Sequence, residues 1–180
     1  SDDVYGGTRR LFNKIKCENQ NIEISYVDLS KDNNWKGLIK ETTKMIWIET
    51  PSNPLLKIID IEKIKSNVQD TNIKIICDNT FASPYNLQPL LLGADVVIHS
   101  STKYLGGHSD LIGGAIIIKE DKAFAEKIKF LQNAIGSVPS PFDCYLLIRS
   151  IKTLAVRMEK HNFNAMEIAN FLAKNNKIKK

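Results

Sequence analysis

The chain has 180 residues, 43% of them apolar and 25% charged, which is enough for one ordinary globular domain and excludes a disordered or low-complexity chain. No apolar run approaches the roughly 20 residues that a membrane helix needs, and the start, Ser1-Asp2-Asp3, lacks the basic and apolar regions of a signal peptide. The net charge is +5, but the basic residues are dispersed, and the densest cluster, Lys174 to Lys180, reads as a solvated end, so neither a nucleic-acid nor a membrane partner is expected.

In chain order, Tyr5-Gly6-Gly7-Thr8 reads as a tight glycine turn after an aromatic residue. Residues 22–27 alternate in polarity and predict a short strand. Residues 45–48 predict another, closed by the turn-rich Glu49-Thr50-Pro51-Ser52-Asn53-Pro54. Apolar residues at 58, 61, 64 and 68 have helical spacing. A strand over 73–78, a short helix near 87–92, and strands over 96–100 and 113–118 follow, then an amphipathic helix over 121–134. Ser140-Pro141-Phe142-Asp143 is a helix start, and with no Gly or Pro after it one helix is predicted from Pro141 to about Lys174. Alternating strands and helices with continuous apolar strands predict an α/β fold, a mostly parallel sheet flanked by helices. In such sheets ligands bind beyond the carboxyl ends of the strands.

Two strand ends carry the candidate chemistry. Asp78 closes one apolar run, and Ser100-Ser101-Thr102-Lys103-Tyr104 follows the next. An aspartate at a strand end is often a turn or cap residue, and most lysines are surface charges. Together, however, an acid, a lysine and two nearby hydroxyls form the set that holds pyridoxal phosphate. Lys103 can form the Schiff base, Asp78 can face the pyridine nitrogen, and Ser100 and Thr102 can bind the phosphate. Tyr5 offers an aromatic face for a planar cofactor, and Asn53 sits in a rigid loop after a strand. No nucleotide-binding glycine motif and no G-x-S-x-G elbow is present. His99, His108 and His161 have no metal-ligand spacing with one another or with Cys17, Cys77 and Cys144, so no metal is expected and the odd cysteine count suits a reduced, cytoplasmic setting.

Five stretches match something specific: Asp2 to Thr8 (DDVYGGT), Trp47 to Pro54 (WIETPSNP), Cys77 to Tyr85 (CDNTFASPY), His99 to Asp110 (HSSTKYLGGHSD) and Ser137 to His161 (SVPSPFDCYLLIRSIKTLAVRMEKH). In these the chain resembles the Cys/Met-metabolism family of pyridoxal-phosphate enzymes, with the last stretch nearer to the γ-lyases than to bacterial synthases. The resemblance implies the large domain of the aspartate-aminotransferase-like fold, fold type I. Residues 1–140 would form most of that domain, and residues 141–180 a long helix leading toward a C-terminal domain. It implies that Lys103 carries the cofactor and moves protons. Asp78 would pair with the ring nitrogen, Ser100 and Thr102 would bind phosphate, and Tyr5 would stack and assist proton transfer. Arg10 would lie near the distal end of the substrate, and Asn53 would contact the cofactor or the substrate carboxylate.

The implied reaction is α,γ-elimination of L-cystathionine, with a cystathionine γ-synthase, a methionine γ-lyase, a homoserine sulfhydrylase or a truncated non-catalytic form as alternatives. The resemblance also implies a homotetramer in the full-length form. Segments beyond Ser1 and Lys180 would complete the phosphate loop and the carboxylate clamp, so the 180-residue polypeptide alone is expected to have little or no lyase activity.

Overall fold

Four strands form one sheet in the order β1 (Met45–Glu49), β2 (Lys74–Asp78), β3 (Val96–Ser100), β4 (Gly114–Ile118) in a computed structural model that describes residues 1–31 and 35–178. The first three strands run parallel, and β4 lies antiparallel on β3, so the sheet is mostly parallel as predicted. In β2 the consecutive residues Ile75, Ile76 and Cys77 are all buried, which is why that strand reads as a continuous apolar run. The register sets Glu49 opposite Asp78, and Asp78 opposite Ile98, so three carboxyl ends lie side by side.

The N-terminal segment is helical where the sequence suggested a turn. Helix α1 (Gly6–Arg10) continues through a π-helical stretch (Leu11–Cys17) into α2 (Glu18–Gln20), which ends at Asn21 in the left-handed region with φ 50°. Phe12 packs edge-on against Trp47 of β1, with ring centroids 5.1 Å apart. The expected strand over 22–27 does not form. Ile22 stays exposed, and apart from the Asp2 N–H to Val27 carbonyl bond the segment has no ladder partner among the described residues.

Between β1 and β2, helix α3 (Ile61–Val68) starts at Asp60, whose carboxylate caps it by accepting from the Lys63 N–H. The periodic residue Ile58 lies outside this helix, while Ile61, Ile64 and Val68 fill the core beside Ile48, Ile75 and Cys77. After β2 comes the short helix α4 (Ser83–Asn86). The helix expected near 87–92 is instead a pair of turns, closed by Leu91 N–H to Gln88 carbonyl and Leu92 N–H to Pro89 carbonyl bonds. Pro89 disfavours helical backbone at Gln88, and the chain is already extended at Leu87.

Helix α5 (Lys122–Ala134) is capped by Asp121. Ser140 caps α6 (Pro141–Ile151) as the sequence indicated, accepting from the Asp143 N–H. The single long helix expected there is broken: α7 (Leu154–Ala173) begins anew after Lys152-Thr153. The Thr153 hydroxyl and amide both bond the Ser150 carbonyl, at 3.1 Å each, and this local closure competes with the helical ladder. Leu154 and Met158 pack with Leu105 in a second, small core.

Candidate functional site

The carboxyl ends of β2 and β3 are stitched together by one threonine. The Thr80 N–H and hydroxyl both donate to Asp78 Oδ1, at 3.0 and 2.6 Å, and the same hydroxyl oxygen accepts the Ser100 N–H at 2.8 Å. Asp78 and the Ser100 segment are therefore held in a fixed relation. Both bonds engage Oδ1, so Asp78 Oδ2 keeps its capacity to accept from a protonated nitrogen.

Beyond Ser100 the chain turns tightly. Ser101 is buried, its N–H donates to the Gly113 carbonyl at 2.9 Å, and its carbonyl accepts the Gly106 N–H at 2.8 Å. Lys103 projects from this turn and is exposed, with no ion pair among the described residues. Its N–H donates to the Ser100 carbonyl, and its carbonyl accepts the Gly107 N–H. The Ser100 hydroxyl makes no hydrogen bond among the described residues, whereas the Thr102 hydroxyl is already engaged, accepting the Gly113 N–H at 3.0 Å. Thr102 and Lys103 line a cleft of about 910 Å³ together with Phe81, Tyr104, Leu111 and His161. Asp78, Ser100, Tyr5 and Asn53 do not line it. His99 is buried behind this turn, and burial lowers its pKa, so it is a neutral ring at ordinary pH.

Tyr5 reaches the same edge from another direction. Its N–H donates to Glu49 Oε2 at 2.9 Å, and Glu49 sits opposite Asp78 in the sheet. A side chain at Gly7 would place its Cβ 2.4 Å from the Tyr5 ring, so this glycine makes room for Tyr5 itself. Glu49 is 5% exposed, and burial, reinforced by nearby Asp78, lifts its pKa to about 7 against the opposing bond from Tyr5. Asn53 lies half-buried in a loop tied to the N-terminal segment, because Asp3 Oδ2 accepts from both the Ser52 hydroxyl and the Leu55 N–H. Arg10 is exposed on α1 without a bonded partner among the described residues; the neighbouring Arg9 lies over the Tyr26 ring at 4.5 Å.

The structure thus links Asp78 to Ser100 through Thr80 and joins Tyr5 to the same edge through Glu49, while Thr102 and Lys103 line a cleft just beyond Ser100, and Arg10 bonds to none of these among the described residues. Sequence reasoning missed Thr80 and Glu49. Both had a signal: Thr80 is placed to close a turn on Asp78, and Glu49 ends an apolar run as Asp78 does. The donor set suits a phosphorylated pyridine: a carboxylate with a free oxygen for a ring nitrogen, an unengaged hydroxyl for a phosphate, and an unpaired amine for a carbonyl carbon.

Comparison with known proteins concerns the chain as a whole. The profile described as "Cys/Met metabolism PLP-dependent enzyme" matches residues 1–180. A cystathionine gamma-lyase of Dictyostelium discoideum is 50% identical over 179 residues, which is 99% of this chain and 46% of the relative. A cystathionine beta-lyase of Coxiella burnetii is 48% identical over 179 residues, again 99% of this chain and 46% of the relative. The crystal structure of a cystathionine gamma-lyase from Lactobacillus plantarum complexed with L-serine superposes with a TM-score of 0.95 at 44% identity, covering 100% of this chain and 47% of that one. Other relatives are named cystathionine gamma-synthase and "Probable cystathionine gamma-synthase". The chain spans about half the length of these relatives. It belongs to the Cys/Met-metabolism family of pyridoxal-phosphate-dependent enzymes, carbon–sulfur enzymes built on the fold type I sheet.

Proposed function

We propose that the full-length protein eliminates at the γ-carbon of L-cystathionine, giving L-cysteine, 2-oxobutanoate and ammonia, and that it releases hydrogen sulfide from cysteine or homocysteine in a side reaction. The observation that carries the site is the Asp78–Thr80–Ser100 hydrogen-bond chain, which holds the acid against the segment bearing the lysine. The choice of γ-elimination rests on the resemblance of residues 137–161 to γ-lyase sequences; over the whole chain, relatives named gamma-lyase, gamma-synthase and beta-lyase are 50%, 49% and 48% identical.

Bound pyridoxal phosphate would supply the electron withdrawal that stabilises negative charge on the substrate carbons. The residues of this chain do the rest. Lys103 Nζ would hold the cofactor, and its amine would carry a proton between the α-carbon and the β-carbon of the substrate. Asp78 Oδ2 keeps a ring nitrogen protonated. Ser100 donates to phosphate, and Thr102 joins it if its hydroxyl turns away from Gly113. Tyr5 would stack on the cofactor and assist proton transfer from the substrate amine. Asn53 contacts the cofactor or the substrate carboxylate, and Arg10 faces the distal end of the substrate. Orientation of the bonds to be broken is the protein's main contribution. The reading carries with it a homotetramer of full-length chains in a reduced, cytoplasmic setting.

A second reading has support in the relatives named beta-lyase and gamma-synthase. Product analysis separates the three. Full-length protein given L-cystathionine should form 2-oxobutanoate and cysteine in equal amounts. Pyruvate with homocysteine would establish β-elimination instead, and net synthesis of cystathionine from cysteine and an activated homoserine would establish the synthase.

A further inference from the structure

The break between α6 and α7 and the loop after Lys103 meet at one side chain. Arg157 Nη1 donates to the Tyr104 carbonyl at 2.6 Å, and Nη2 donates to the Ser150 carbonyl at 2.9 Å and, more weakly, to the Leu105 carbonyl at 3.4 Å. Its Nε donates to the Thr153 hydroxyl at 3.1 Å, the same hydroxyl that closes the helix break on Ser150. None of these four acceptors is a carboxylate. The rigid fork of a guanidinium is spent on carbonyls that the helix break and the loop leave over.

Gly107 lies directly under this guanidinium. A Cβ at Gly107 would come within 2.2 Å of Arg157 Nη1, and the residue has φ +75°, a conformation that favours glycine. Its N–H donates to the Lys103 carbonyl at 2.7 Å. The loop is held on the same side by Leu105 packed on Leu154 and Met158, and by the Tyr104 ring against His161 at 5.1 Å. Upstream, the Lys103 N–H is fixed on the Ser100 carbonyl at 3.2 Å. The backbone of Lys103 is therefore bracketed by Ser100 on one side and by the Arg157–Gly107 contact on the other.

We propose that Arg157 is a positioning residue for Lys103, locking residues 104–107 onto the start of α7 and so setting where the lysine amine stands relative to Asp78. This rests on the reading of Lys103 as the cofactor lysine. Arg157 touches neither cofactor nor substrate; it acts through the backbone. A lysine at 157 keeps the charge but is a single point donor that cannot serve three carbonyls and a hydroxyl at once. The loop then relaxes, and a displacement of about 1 Å at a reacting group can cost about 10²-fold in rate.

The test uses the full-length holoenzyme as wild type, as Arg157→Lys, and as Ile64→Ala, a core change in α3 that controls for lost stability alone. Three quantities are measured: the pH midpoint of the visible cofactor absorbance, kcat and KM on L-cystathionine, and Tm. Arg157→Lys should displace the absorbance midpoint and lower kcat by about 10²-fold with KM little changed. Ile64→Ala should lower Tm and leave both other quantities as in wild type. An Arg157→Lys protein with wild-type midpoint and wild-type kcat, altered only in Tm, overturns the inference. A wild-type protein without a borohydride-sensitive band overturns the reading of Lys103 and the inference with it, so the two failures are told apart. Should Arg157→Lys not fold, Gly107→Ala disturbs the same contact from the other side; a shifted midpoint there supports the inference, and a wild-type midpoint and kcat overturn it.

Discussion

The sheet half and the helical half of this chain bury their apolar residues in opposite ways. Around β1, β2 and α3, the residues Ile48, Ile64, Val68, Ile75 and Cys77 are at most 2% exposed. Along α5 to α7, the buried residues among those described are Ser150, Leu154 and Met158, while Phe130, Ile135, Phe142, Ile148, Phe163 and Phe171 are all more than half exposed. The difference separates two jobs. The sheet core makes the strand ends rigid, and so fixes Asp78 and Ser100. The helices meet the site along one narrow seam, where Leu154, Arg157 and Met158 hold the loop that follows Lys103. A change in the core should cost stability, and a change at the seam should cost chemistry.

The comparison can be broken most forcefully at the lysine. Lys103→Ala in the full-length protein should remove the visible cofactor band and lower elimination by about 10⁴-fold or more. Steady-state assays and absorbance spectra check both. Asp78→Asn comes next. It keeps an oxygen for the Thr80 bonds but gives up the charge, so kcat should fall by about 10²-fold while the strand ends stay joined.

Core and surface are contrasted directly by two truncations. Ile64→Ala should cost about 2–5 kcal/mol in denaturant unfolding, because its cavity opens between α3 and the sheet. Phe163→Ala, at 58% exposure, should stay within about 0.5 kcal/mol in the same experiment. Equal losses from the two would dissolve the distinction between the halves.

A further effect concerns pH. Glu49 has a pKa of about 7 in the folded chain against an ordinary 4.5, so the folded state holds more protons than the unfolded state between those values. Stability therefore falls as pH rises from about 4.5 to about 7 and levels off above, by at most about 3 kcal/mol. Glu49→Gln keeps an acceptor for the Tyr5 N–H and removes the titration. Its unfolding midpoint should lose that part of the slope, which a pH series of both proteins will show.

The parallel strands and the lysine segment were legible in the sequence because strands buried on both faces read as unbroken apolar runs, and because Asp78 ends one of them and Lys103 follows shortly after the end of the next. What escaped depends on contacts between distant segments. Residues 22–27 alternate like a strand but lack a neighbour to pair with. The break at Thr153 carries no Gly or Pro; it arises from a hydroxyl that bonds Ser150 and from Arg157, which reaches a loop some 50 positions earlier. Glu49 and Thr80 carry only local signals in the sequence; the register that sets Glu49 beside Asp78 and the fold that brings Thr80 between two strand ends give them their place at the site. Composition and spacing assign residue types to strand ends, whereas the hydrogen bonds that hold them in place belong to the fold.

The central claim is that Lys103 is the residue that carries pyridoxal phosphate. Reduction of the full-length holoenzyme with borohydride, followed by proteolysis and mass spectrometry, tests it most directly. The account predicts a phosphopyridoxyl group on the peptide containing Ser100 to Tyr104, borne by Lys103. A stable adduct on any other lysine, with Lys103 unmodified, would contradict it.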